Sequence, residues 1–461
     1  MTAETQFPNP PARIHLIGIK GVGMTGLAAL LQAQGYVVSG SDTMESFQTD
    51  EVLRSSNISV AEGFSKSNIT SIIDAIVYST AYAPNHIERE AARDLSLPEW
   101  SYPEVLGVLA LSYRNSVAVA GSHGKTTTTA LLAHMLEEGG IDPTALIGAP
   151  VTAWGKNARS GSGDWFVFEA DEYQNKFQFY APRHIIITNV DYDHPDFFKN
   201  EAAYLAVFAE FVKRLPADGT LIINGDDPVS KSLVKGCSAS VVTFGEDKKN
   251  DWQLKNVQVK EGVTNFRVYK HNVLHGEFSL NFPGKHYALD ALAALVMADK
   301  AGVSSKIIGR SLEHYRGTAR RFERRGAFGS MVVIDDYAHH PSEIRSVVRA
   351  VRKGYSERRI VVVFQAHTYS RTEQLLPDFA ESLGEADLVI VPPIYASARE
   401  DKGRVDHAML VAAINAVNPG HAVGVGSLEE ASLVAKKETG KGVLITMGAG
   451  DVWRVADMLI R

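Results

Sequence analysis

The stretch Val117-Ala118-Val119-Ala120-Gly121-Ser122-His123-Gly124-Lys125-Thr126 decides how this chain folds. Its apolar half reads as a buried strand, its glycine half as a tight turn, and Thr127 to Leu136 beyond it as a helix. Glycines at Gly121 and Gly124 let backbone N–H groups turn inward around phosphate oxygens, and the helix N-terminus adds the positive end of a dipole. Lys125 is expected to reach the β- and γ-phosphates of a nucleotide, and the Thr126 hydroxyl to ligate Mg²⁺. Ser122, His123 and Thr127 complete this candidate nucleotide-binding set. The usual pattern carries a glycine five residues before Gly124; Val119 stands there, so the loop is a shortened variant. The competing reading is an ordinary glycine-rich turn, and the Gly-Lys-Thr triplet between strand and helix argues against it.

The same rhythm of short apolar strands and helical stretches runs outward in both directions, which predicts parallel sheets. On the C-terminal side, Trp165 to Phe168 and Ile185 to Ile187 are strands that end at Glu169 and shortly before His194. In open parallel sheets ligands gather at the carboxyl ends of strands, so Glu169 and His194 are candidates to meet the Mg²⁺ held by Thr126. A solvated loop acid and a capping histidine are the alternatives. From Trp252 to Phe282 apolar and polar residues alternate, as at Phe266, Val268, Phe278 and Leu280, around a turn near His271-Asn272. That predicts an antiparallel hairpin set into the α/β pattern. On the N-terminal side, Ile14 to Ile17 leads into Gly21-x-Gly23-x-x-Gly26, with Asp42 about 20 residues on, which fits a dinucleotide fingerprint. The same turn can hold any nucleotide diphosphate.

The last third places four polar clusters just after four strands: Asp335 to Pro341, Phe364 to Thr372, Ile394 to Glu400 and Met447 to Asp451. Together they suggest one lined site, in which Arg371 suits a carboxylate-bearing amino acid through paired hydrogen bonds. Helix capping by the Asp, Ser and Thr residues is the alternative for some of them.

Composition sets the frame around these motifs. The 461 residues suggest about three domains at ~150 residues each, with boundaries placed at 1–113, 114–317 and 318–461. Forty-five per cent of residues are hydrophobic, which excludes a fibrous or disordered chain. Forty-seven basic against 53 acidic residues leave a net charge of -6, which gives no support to an electrostatic nucleic-acid binder. The single cysteine, Cys237, excludes an intramolecular disulfide and a Cys-rich zinc site, and leans toward a reducing compartment. No apolar run approaches the ~20 residues of a membrane span. The apolar run Ala288 to Ala298 is too short and carries Asp290, and the segment Met1 to Pro11 lacks the apolar core of a signal peptide. A cytoplasmic protein with no membrane and no nucleic-acid partner is expected.

Taken together these residues resemble the Mur ligases, ATP-dependent amide-forming enzymes of peptidoglycan synthesis, over nearly the whole chain. The motifs that carry the resemblance are Gly18 to Met24, Gly121 to Thr129, Glu169 to Glu172, Asp335 to Pro341, His367 to Thr372 and Tyr395 to Glu400. Within the family the chain is most similar to the members that add L-alanine to UDP-N-acetylmuramate. The resemblance implies a Rossmann-like parallel-sheet N-terminal domain, a central P-loop ATPase-like α/β domain with a small antiparallel element, and a Rossmann-like α/β C-terminal domain. It also implies that the N-terminal turn holds UDP-N-acetylmuramate rather than a nicotinamide cofactor, with Gly21, Val22, Gly23, Met24, Asp42 and Ser79 at the sugar nucleotide. ATP and Mg²⁺ are the implied cofactors, with Thr126, Glu169 and His194 at the metal. Arg321 is implied at the nucleotide, and Tyr337, His339 and Arg371 at L-alanine, so that Lys125, His194, His339 and Arg371 carry the catalytic positions. A monomer or weak homodimer is expected.

Two stretches depart from the family pattern. Where the family shows His-Asn-x-x-Asn near the adenine, this chain has His286-Tyr287-Ala288-Leu289-Asp290, and Tyr287 is read as stacking on the base. Tyr102 stands where many relatives carry a basic residue. Three other readings compete: a ligase that attaches a preformed tripeptide, which the His367 to Thr372 cluster disfavours; a nicotinamide-dependent dehydrogenase, which leaves Lys125-Thr126 unexplained; and a non-catalytic nucleotide switch, which leaves the C-terminal clusters unexplained.

Overall fold

The computed structural model describes residues 6–194, 197–396 and 403–460. The N-terminal tail before Gln6 and the Ser397 to Glu400 part of the third C-terminal cluster lie outside the described residues. The chain condenses into two compact units. One comprises the chain up to Asp191 with Leu205–Phe244 and Ala293–Ile308; the other comprises Tyr192–Tyr204, Gly245–Leu292 and the chain from Gly309 onward.

The first unit holds two sheets. The smaller is five-stranded and all parallel, in the order Ser59–Glu62, Val37–Asp42, Arg13–Ile17, Ala75–Tyr78, Glu99–Ser101. Its central strands are unbroken apolar runs, with Leu16, Ile17, Ile76 and Val77 fully buried, as expected where helices cover both faces. The winding reverses beside Arg13–Ile17, and the glycine turn leaves the carboxyl end of that strand at this switch point.

The larger sheet runs Ser240–Gly245, Thr220–Asn224, His184–Ile187, Asn115–Ala120, Trp165–Glu169, Thr144–Val151, Lys156–Arg159 within this unit. All its pairings are parallel except the last. Here too the order reverses around one strand, Asn115–Ala120, so the residues following three adjacent strands emerge side by side. Ala170 N donates to Val119 O at 2.9 Å and Thr188 N to Ala120 O at 3.1 Å. The phosphate loop, Glu169 and the Thr188–Asp191 segment therefore share one rim.

His184, in the middle of this sheet, is 3% exposed and stacks on Trp165. Burial, then the nearby Lys300 and Arg183, pull its pKa down to about 4. The folded state thus favours the neutral ring, so its contribution is complete above pH ~6.5 and is lost as pH falls toward 4. His184→Gln is expected to flatten the decline in melting temperature between pH 6.5 and 4.5; melts across that range check this.

The second unit carries an antiparallel meander and a six-stranded sheet. The meander has three strands, Trp252–Lys260, Val263–Lys270 and Val273–Leu280, rather than one hairpin. The turn at His271-Asn272 is where the sequence places it, with both residues left-handed at φ 48° and 65°. A second turn at Glu261-Gly262 is also left-handed, at 50° and 83°. Phe266, Val268, Phe278 and Leu280 all face inward, so the alternation is correct on both later strands. The other sheet runs Glu323–Phe328, Met331–Asp336, Gly442–Met447, Arg359–Phe364, Leu388–Val391, Ala422–Gly424, parallel except for its first strand. Val333, Val361, Val363, Ile390 and Leu444 fill its core.

The apolar run Ala288 to Ala298 lies in a helix, Lys285–Lys300, and is a core element with Ala291 to Leu295 fully buried. Among the described residues no helix is long and apolar enough to cross a membrane.

Candidate active site

In the first unit the phosphate loop is held from below. Gly121 adopts φ 134°, and a Cβ there would stand 2.1 Å from Thr188 Oγ1, so only glycine fits. Ser122 Oγ donates to the Asp191 carbonyl and accepts its N–H, at 2.6 and 2.8 Å. His123 N donates to Asn189 Oδ1 at 2.9 Å, and its ring stands 3.2 Å from the Asp191 carboxylate. Gly124, left-handed at φ 78°, begins the helix Lys125–Glu138, whose N-terminus no side chain caps. The positive end of the helix dipole there favours an anion. Thr127 is buried within the first turn.

Lys125 Nζ donates to the carbonyls of Gly121 and Ser122 and pairs with buried Glu172 at 3.1 Å. Burial alone would lower its pKa, but Glu172, with Asp171 and Glu169, outweighs that and holds it well above the ordinary lysine range. The ammonium is therefore a permanent charge at the loop. Thr126 Oγ1 donates to Glu169 Oε2 at 2.8 Å, and Gly148 N donates to the same oxygen at 3.0 Å. A hydroxyl and a carboxylate placed together at a phosphate loop are the hard oxygen donors that Mg²⁺ takes, so these residues fit that ion. A Cβ on Gly148 would fall 2.2 Å from Glu169 Oε2. Gly148→Ala is expected to turn the carboxylate away from Thr126, raising the Mg²⁺ concentration for half-maximal activity roughly 10- to 100-fold. A Mg²⁺ titration of activity checks this, with melting curves to show that the fold survives.

A cavity of about 270 Å³ joins this rim to the N-terminal turn, with Gly21, Gly23, Met24 and Ser79 on one side and Glu169, Asp171 and Lys176 on the other. Val22 begins the helix Val22–Ala33 and is exposed. Asp42 is 3% exposed, and its carboxylate accepts N–H bonds from Lys20 at 2.7 Å and Thr43 at 2.8 Å. It ties the glycine turn to the neighbouring strand, which is a supporting role rather than direct presentation to a ligand. Tyr102 lines the cavity, and the positive charge there belongs to Lys176, which pairs with Asp171.

The second unit gathers a separate set. Arg371 Nη2 donates to Asp193 Oδ1 at 3.0 Å, with both side chains 8% exposed. Burial pushes the Asp193 carboxyl up, but Arg371, with His194 and His339, more than offsets it and holds it well below the usual carboxylate range. His194 follows with φ 58°, and its Nε2 stands 3.8 Å from Asp193 Oδ2. His339 rests against the Tyr337 ring and carbonyl; burial pulls its pKa down to about 3, so it is neutral at pH 7. His340 caps the helix Pro341–Gly354, accepting from Ser342 N.

Arg320 and Arg321 divide their roles. Arg320 is buried, pairs with Asp335 at 3.1 Å and donates to the carbonyls of Gly448, Ala449 and Gly450. Arg321 is half-buried, with its guanidinium carbon 5.0 Å from the Tyr337 ring. His286, half-buried, has its pKa lowered by burial to about 4, while Asp290 is half-buried one turn on. Tyr287 is 4% exposed and packs against Phe282 and Phe322, so it serves the core rather than a surface on which a base could stack. Sequence reasoning missed Asp193, Lys176 and Arg320. The only signal for the last was its place beside Arg321.

Three family models match the chain: "Mur ligase family, catalytic domain" over residues 13–114, "Mur ligase middle domain" over 119–298 and "Mur ligase, glutamate ligase domain" over 320–450. The UDP-N-acetylmuramate–L-alanine ligase of Desulfitobacterium hafniense is 40% identical over 452 residues, covering 98% of this chain and all of that protein. The crystal structure of UDP-N-acetylmuramate-alanine ligase from Thermotoga maritima superposes with a TM-score of 0.84 at 27% identity, covering 97% of this chain and 98% of that one. The murein peptide ligase of Psychrobacter arcticus superposes with a TM-score of 0.73 at 25% identity, with the same coverage. The chain belongs to the Mur ligase family. It is an ATP-dependent ligase of α/β architecture.

Proposed function

We propose that the protein joins L-alanine to the carboxylate of UDP-N-acetylmuramate in the cytoplasmic phase of peptidoglycan precursor synthesis. The observation that carries this reading is full-length identity of 40% to an L-alanine-adding relative, with a higher TM-score to an alanine ligase than to a murein peptide ligase.

The chemistry proceeds in two steps. The muramate carboxylate oxygen attacks the γ-phosphorus of ATP, the bond from that phosphorus to the β-bridging oxygen breaks, and ADP leaves. The neutral amine of L-alanine then attacks the carbonyl carbon of the acyl phosphate, the C–O bond breaks, inorganic phosphate leaves and the amine proton passes to solvent. Two anions must meet in the first step, so charge neutralisation is the main demand. Lys125 supplies a fixed positive charge at the phosphates, and the helix N-terminus supplies the positive end of its dipole. Thr126 and Glu169 are the proposed Mg²⁺ ligands; the ion would neutralise phosphate charge when bound. Gly21, Gly23, Met24 and Ser79 line the proposed sugar-nucleotide end of the cavity, with Val22 beside them and Asp42 holding the turn. His286, Asp290 and Arg321 are assigned to the nucleotide, and Tyr337, His339 and Arg371 to the amino acid. Burial leaves His339 neutral and only weakly basic, which suits a positioning contact at the amino acid while solvent takes the amine proton.

The test is an assay of phosphate release with L-alanine, glycine, L-serine or the cell-wall tripeptide as acceptor. Turnover with L-alanine is expected, and turnover with the tripeptide alone would replace the assignment.

A further inference from the structure

The ion pair between Asp193 and Arg371 leaves part of each partner unused. Both side chains are 8% exposed, so each charge is removed from bulk water and needs hydrogen-bonding partners. A guanidinium carries five donors in a planar fork, of which Nε and Nη2 form one edge. On that edge Nη2 is bound to Asp193 Oδ1, while the buried Nε has no acceptor. Asp193 Oδ1 also accepts the His194 N–H at 2.7 Å. Among the described residues nothing donates to Oδ2, and the group beside it is His194 Nε2 at 3.8 Å. The segments that carry the pair are strained: His194 follows Asp193 at φ 58°, and Thr368, at φ 68°, begins the helical turn that bears Arg371. Such backbones persist only where the surrounding structure holds them in place.

An unused donor next to an unused acceptor, on one buried ion pair, is complementary to a molecule with opposite charges on adjacent groups. An α-amino acid has that form. We propose that Asp193 receives the α-ammonium group of the incoming amino acid through Oδ2, while Arg371 Nε takes its α-carboxylate. The pair thereby selects an amino acid over a carboxylic acid that lacks the ammonium. This rests on the reading that Arg371 belongs to the amino-acid site, and it adds Asp193 as the residue that fixes where the amine stands. Holding the nitrogen at a set distance from the carboxylate orients its lone pair for attack once the proton has left.

The experiment compares L-alanine with L-lactate, which keeps the carboxylate, methyl group and handedness but has a hydroxyl in place of the ammonium. L-Lactate is tested as a competitive inhibitor against L-alanine, with the wild-type protein and with Asp193→Asn. The wild type is expected to bind L-lactate at least about 10- to 100-fold more weakly than L-alanine, the fold-change of a charge-assisted hydrogen bond. In Asp193→Asn the KM for L-alanine should rise by a similar factor, while L-lactate binding and the KM for ATP and for UDP-N-acetylmuramate stay within about threefold. Asp193→Glu should recover part of the loss.

Equal weakening of L-alanine and L-lactate in Asp193→Asn would mean that Asp193 merely holds Arg371, and would overturn the proposal. Wild-type binding of L-lactate as tight as that of L-alanine would overturn it without any variant. A wild type that turns over no amino acid with UDP-N-acetylmuramate contradicts the proposed function instead, so the two failures are distinguishable.

Discussion

Lys125→Ala is expected to abolish phosphate release, lowering kcat by about 10³-fold or more. The reason is electrostatic and local. Lys125 Nζ sits against the Gly121 and Ser122 carbonyls, and its charge is secured by Glu172 at 3.1 Å. No other lysine or arginine lies in the loop Gly121–Thr126 to replace it. The substitution also removes the ammonium beside Glu172, whose side chain is 1% exposed, and that carboxylate then costs stability. The two effects separate in the double variant Lys125→Ala/Glu172→Gln, which should regain melting temperature without regaining activity. Recovery of activity in the double variant would show that Lys125 acts only by neutralising Glu172.

Arg320→Met is expected to destabilise the second unit by about 3–5 kcal/mol, the cost of removing one partner of a buried ion pair. Asp335 is fully buried; burial pushes its carboxyl up, and Arg320 is the main charge that offsets this. The same guanidinium gathers three successive carbonyls, Gly448 to Gly450, so its loss leaves four acceptors without their donor. Arg320→Lys should rescue little, because a single ammonium cannot span a carboxylate and three carbonyls. Denaturant unfolding of both variants, followed by tryptophan fluorescence and circular dichroism, measures the effect.

The parallel strands were legible because they are uninterrupted apolar runs, such as Ile185 to Ile187, ending in polar or glycine residues. The phosphate loop was legible because its glycines and its Lys-Thr pair are contiguous in sequence. The turn at Glu261-Gly262 was not, since a two-residue turn leaves the alternation around it unbroken and Gly262 is its only mark. Asp42 could be found by its spacing, yet which way its carboxylate points depends on the Lys20 and Thr43 N–H groups that claim it. Asp193 and Arg371 lie 178 residues apart, and no local pattern couples them. Tyr287 reads as a surface aromatic beside a ligand motif, but packing against Phe282 and Phe322 takes it into the core.

The central claim is that the muramate carboxylate is phosphorylated and then captured by the amine. UDP-N-acetylmuramate labelled with ¹⁸O in its carboxylate, turned over with ATP, Mg²⁺ and L-alanine, tests it directly. One labelled oxygen per turnover should appear in inorganic phosphate, because the oxygen that attacks phosphorus leaves with it when the amide forms. Phosphate released without the label while the amide product accumulates would contradict the account.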